Sequence, residues 1–108
     1  MSTSVPAAIQ HYYAAKNAHD ISAMAACFAK DAIVHDENEE HVGIAAITQW
    51  MEDTTAKYRV TVEVLSARED GEFTVATCLV SGNFDGSPIE LDYRFGLDGD
   101  KITSLAID

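Results

Sequence analysis

Cationic side chains are scarce in this sequence: seven Lys and Arg stand against eighteen Asp and Glu, for a formal net charge of -11. Phosphate backbones and anionic headgroups are held by clustered Lys and Arg, so nucleic acid and membrane surfaces are excluded as expected partners. Cysteine is equally sparse. Cys27 and Cys78 form no CxxC pair and no metal-ligand spacing with His11, His19, His35 or His41; each falls in an apolar pattern and reads as a buried free thiol. Neither a metal nor a cofactor is expected. No apolar run approaches the roughly 20 residues that span a bilayer. The opening MSTSVPAAIQ has neither a basic n-region nor an apolar h-region, so a cytoplasmic location is the expectation. Repeats, low-complexity tracts and linkers are also missing. With 108 residues, 47% of them hydrophobic, one domain over 1–108 with a single core is expected.

What is there begins with helices. Ser4 is placed to cap a first helix whose Pro6 sits in the opening turn, where its missing N–H costs nothing. Val5, Ile9, Tyr12, Tyr13 and Lys16 recur at helical spacing as an inner stripe, Ala8 and Ala15 are close-packing positions, and the helix runs to about Ala18. Because Tyr12 and Tyr13 are neighbours, only one of them is expected to point fully inward. Asp20 caps a second helix with Ile21, Met24, Cys27 and Phe28 facing the core. The polar run from Glu37 to His41 reads as an exposed loop. A third helix, Ile44 to about Ala56, turns Ile44, Ile47, Trp50 and Met51 inward.

From Arg59 the period changes from 3.6 to 2. Turns at Asp70-Gly71, Asp85-Gly86 and Asp98-Gly99-Asp100 divide the remainder into four strands of an antiparallel meander. The order predicts an α+β fold: three N-terminal helices packed on a curved antiparallel sheet that forms a cone-shaped pocket. Thr74, Ala76, Cys78 and Val80 read as an outward row, apolar for a wet face, and a homodimer through the sheet is expected from them.

The stretch Phe28 to Asp36 carries the chemistry. Side chains alternate along a strand, so Ala32, Val34 and Asp36 share one face while Ile33, His35 and Glu37 share the other. Asp36 extends an apolar row, and burial there would raise its pKa and fit it for proton transfer. His35 faces away, so His35-Asp36 is not a dyad.

Four strings, YYAAKNAHD (12–20), FAKDAIVHD (28–36), GIAAITQW (43–50) and YRFGLDGDKITSLAI (93–107), resemble the SnoaL-like group of the nuclear transport factor 2-like superfamily, which also holds the steroid ketoisomerases. The resemblance covers nearly the whole chain and implies a cystatin-like cone. By resemblance to the isomerases, Asp36 falls on their general base and Tyr12 on their oxyanion-hole tyrosine, while Leu91 stands where they carry a second, acidic donor. Loss of one such donor typically costs about 2.7–4 kcal/mol. The implied function is proton transfer on a small apolar carbonyl compound, with Asp36 and Tyr12 catalytic and Val34, Trp50, Leu91, Tyr93 and Phe95 lining the pocket. The alternatives on the same fold are a non-catalytic ligand-binding or dimerisation module and an acidic protein-interaction domain.

Overall fold

The computed structural model describes residues 5–36 and 38–107. The expected Ser4 cap lies outside them, as does Glu37. Helix α1 (Ala7–Asn17) and helix α2 (Ile21–Ala26) form a hairpin, with Asp20 Oδ1 accepting from the Ala23 amide at 3.1 Å as the cap of α2. Strand β1 (Phe28–Asp36) follows at once, so Phe28 opens the strand and is not part of the helix. Strand β2 (Glu39–Val42), helix α3 (Ile44–Tyr58), β3 (Thr61–Asp70), β4 (Phe73–Ser81), β5 (Ile89–Asp98) and β6 (Lys101–Ile107) complete the order. Among the described residues no helix is long and apolar enough to cross a membrane.

The six strands make one sheet in the order β2-β1-β6-β5-β4-β3. The expected meander is there as β3 to β6, but the sheet is not wholly antiparallel, because β6 returns alongside β1 and pairs with it in parallel. Such a pair needs a long crossover, and α3 with β3 to β5 supplies it. The expected loop after Asp36 is mostly β2, which pairs Asp36 with Glu39 and Val34 with His41. Its charges sit on a sheet edge, where they discourage pairing with a further strand. The Asp85-Gly86 turn lies inside a longer connection, residues 82–88, held to the end of α3 by the Asn83 amide donating to the Tyr58 carbonyl at 2.7 Å.

Register shifts in β3 and β5 and between β1 and β6 bend the sheet around the helices. At the β5 shift a Cβ on Gly96 would collide with Ser104 Oγ, so a side chain there would require the serine to rotate away. Into the concave face α1 inserts both Tyr12 and Tyr13, which are 0% and 5% exposed. The expectation that only one could face inward fails because the sheet and α2 cover α1 on adjacent sides. Tyr12 meets Phe28 and Phe95 edge-on, and Tyr13 accepts from Cys78 Sγ at 3.2 Å. Both cysteines are free and buried. With Ile9, Met24, Ile47, Val34, Ile102 and Leu105 these rings form the core, each large apolar side chain contributing about 1.5–3 kcal/mol by burial.

One strand face is corrected. Ala76, Cys78 and Val80 are 0%, 0% and 3% exposed and face inward, opposite Tyr93, Leu91 and Ile89 of β5. The row that motivated a sheet dimer is therefore inside the subunit. The outer face instead carries ion pairs, Arg68 with Asp92 at 3.6 Å and Arg94 with Asp70 at 2.7 Å.

Candidate functional site

Three elements converge on Asp36. Strand β1 runs from buried Ala32 and Val34 to a partly buried carboxylate at its end. Helix α3 brings Trp50 against it, the indole Nε1–H donating to Asp36 Oδ2 at 3.0 Å. That bond orients the carboxylate. One and two turns further along α3, Thr54 and Tyr58 extend the same wall, a spacing of four that stacks side chains on one helix face. The Thr54 hydroxyl is already committed, donating to the Trp50 carbonyl at 2.9 Å.

Helix α1 adds Lys16, the outermost residue of its inner stripe. Its position is fixed by the next residue: Asn17 Nδ2 donates to the Val62 carbonyl at 2.9 Å, and its Oδ1 accepts from the Val62 amide at 2.7 Å. Lys16 Nζ lies 5.8 Å from the Tyr12 ring centroid and 5.9 Å from that of Trp50. Burial pulls the Lys16 ammonium down to about 8, against the opposing pull of Asp36.

Opposite these polar groups the wall is apolar. Val80, Leu91, Tyr93 and Ile107 come from the sheet, and Phe84 closes one side, packed edge-on to Tyr58 with centroids 6.0 Å apart. The result is a cleft of about 200 Å³, partly open to solvent. Burial raises the Tyr93 phenol, chiefly by desolvation, so it keeps its proton at neutral pH. His41 of β2 lies over Trp50 with ring centroids 5.8 Å apart. His35 turns the other way and meets Glu40 at 3.4 Å.

Of the residues expected at the site, Asp36, Trp50, Leu91 and Tyr93 line the cleft together. Val34 and Phe95 do not: both are 0% exposed and belong to the core beneath. Tyr12 is also fully buried and not part of the lining, and its hydroxyl is the one buried side-chain polar atom without a hydrogen-bond partner among the described residues. Burial raises its phenol well above the ordinary range. Sequence reasoning put Lys16 on the inner stripe but gave it no role. The signal was a cation at an inward position that an apolar residue would otherwise hold. Among the described residues no three His, Cys, Asp or Glu side chains gather as a metal site.

The SnoaL-like domain pattern matches residues 9–105. A Sinorhizobium meliloti protein of known structure, provisionally named a polyketide cyclase, is 33% identical and superposes with a TM-score of 0.92 over 96% of this chain and 95% of that one. A Catenulispora acidiphila protein with a ketosteroid isomerase-like fold, solved in complex with trimethylamine, is 21% identical, with a TM-score of 0.84 over 97% of this chain and 86% of that one. A Xanthomonas campestris protein, also provisionally named a polyketide cyclase, is 22% identical, with a TM-score of 0.79 over 93% and 85% of the two chains. The last two likenesses establish the fold alone. No curated protein matches the chain.

Proposed function

Because the chain belongs to the SnoaL-like domain family, we propose that its cleft binds a small, mainly apolar carbonyl compound and that Asp36 moves a proton at the carbon beside that carbonyl. The observation that carries this reading is the carboxylate itself, partly buried at the mouth of an aromatic cleft and oriented by the Trp50 N–H. A carboxylate held in this way is suited to general base catalysis, which contributes about 10²–10⁴-fold. Tyr93, with its proton retained, is the donor for the carbonyl oxygen; Tyr12, given that role by the resemblance, is sealed below it. The cleft, at about 200 Å³, lies under the roughly 300–1,000 Å³ of drug-sized sites. A single-ring compound suits it better than a steroid.

One observation favours a second reading. With Tyr12 out of the cleft and Leu91 in place of an acidic donor, the same walls suit a binding module that turns nothing over. Deuterium exchange at the α-carbons of cyclohexanone and 2-cyclohexenone, followed by NMR in D₂O, separates the two. Catalysis gives protein-dependent exchange that falls by about 10²-fold or more in Asp36→Asn. A binding module gives saturable binding with no exchange. Neither exchange nor binding would overturn both readings.

A further inference from the structure

Resting on the reading of the cleft as a carbonyl site, we infer that Lys16 is a nucleophile that joins the ligand covalently, its side-chain amine condensing with an aldehyde or ketone held against Asp36 and Trp50. Lys16 lines the cleft, is partly buried, and is anchored by the paired hydrogen bonds of Asn17 to Val62. Its nitrogen lies against the Tyr12 and Trp50 rings, 5.8 and 5.9 Å from their centroids. The other lysines differ. Lys101 donates to the Ala26 carbonyl at 2.7 Å, Lys57 lies over the Tyr58 ring on the exposed side of α3, and Lys30 is exposed on β1. With its ammonium held near 8 by desolvation, Lys16 presents about half of its nitrogen as free amine at that pH, where an ordinary lysine presents well under 1%.

The covalent step also answers what the cleft lacks. A ketone-derived enolate needs donors for its oxygen, and the cleft offers Tyr93 but has Leu91 where an isomerase-like pair would place its acidic donor. An iminium needs none. The Lys16 lone pair attacks the carbonyl carbon, a C–N bond forms, and the amine proton passes to oxygen to give a carbinolamine. A proton from solvent lets that oxygen leave as water and gives a protonated C=N bond. Asp36 then removes the α-proton, its electron pair moving toward the cationic nitrogen as an enamine. Reprotonation at carbon and attack by water reverse the condensation and release carbonyl compound and amine, with no oxidant or reductant consumed.

The test is reductive trapping of the whole protein with benzaldehyde and cyanoborohydride near pH 8, the benzyl group being located by peptide mass mapping. Labelling of Lys16 at least about tenfold faster than of Lys30 or Lys57 is expected from its larger amine fraction, with excess cyclohexanone slowing Lys16 alone. Lys16→Arg should lose the fast label and leave the others unchanged. Labelling of Lys16 no faster than of Lys30 and Lys57 would overturn the inference. Benzaldehyde has no α-proton, so the result is independent of Asp36 as a base. Ketone exchange without trapping removes the covalent step and leaves the proton transfer standing, whereas trapping without exchange upholds Lys16 and removes the base.

Discussion

The Trp50 indole donates its N–H to Asp36 across 3.0 Å, joining the middle of α3 to the last residue of β1. The bond fixes helix and strand to each other within the polar wall of the cleft. A hydrogen bond to an ionised group contributes about 1.5–3 kcal/mol, toward the lower end where water reaches it. Trp50→Phe keeps an aromatic ring but removes the donor and part of a buried indole, and it should lower stability by at least about 1–2 kcal/mol in urea unfolding. Combining it with Asp36→Ala should cost less than the sum of the two single changes. Strict additivity would mean the bond contributes nothing.

Tyr12 gives a test that divides fold from chemistry. Its hydroxyl is buried without a hydrogen-bond partner among the described residues, so Tyr12→Phe removes a desolvated polar atom and none of their hydrogen bonds. Stability should hold or rise by up to about 1 kcal/mol, and α-proton exchange should be unchanged. A fall in exchange of about 10²-fold or more would return Tyr12 to the role of oxyanion donor.

Lys16 sets a pH dependence whose sign is fixed by its depressed ammonium, about 8 in the folded protein against an ordinary 10.5. Below pH 8 both states hold the proton and the cost of burying charge is fully present. Between these two values the unfolded chain binds more protons than the folded one, so this contribution to stability rises with pH. Lys16→Met should therefore exceed the natural protein by about 1–2 kcal/mol at neutral pH, the partial exposure of Lys16 reducing the full figure. That advantage should shrink by more than half by about pH 9.5. Urea unfolding at the two pH values measures it, and an advantage constant with pH would show that Lys16 is solvated.

The helices and the meander were legible because their apolar spacings are regular and their turns carry Gly after Asp. Asp36 was legible for the same reason, as the polar end of the Ala32-Val34 row. Elsewhere two patterns carried equal weight. In β4 both Phe73-Val75-Thr77-Leu79 and Thr74-Ala76-Cys78-Val80 are apolar enough to face a core, and only the pairing with Tyr93 and Leu91 decides between them. Strand β2 reads as loop because an edge strand of Glu39, Glu40 and His41 has the composition of one. The division of Tyr12 and Phe95 from the cleft lining depends on how deeply α1 sinks into the bent sheet, a tertiary distance with no local sequence signal. Lys16 was visible as an inward cation, yet long cationic side chains commonly lay their stems on apolar surface and reach water.

Trp50 is the chain's single tryptophan, and its indole N–H forms the contact with Asp36 on which the reading of the cleft as a carbonyl site depends. Its isolated signal in a ¹H–¹⁵N correlation spectrum, followed as cyclohexanone is added, reports directly on that contact. A saturable displacement of this signal is the expected result. An indole signal that stays fixed while ligand is raised to its solubility limit would contradict the assignment of this cleft as the binding site.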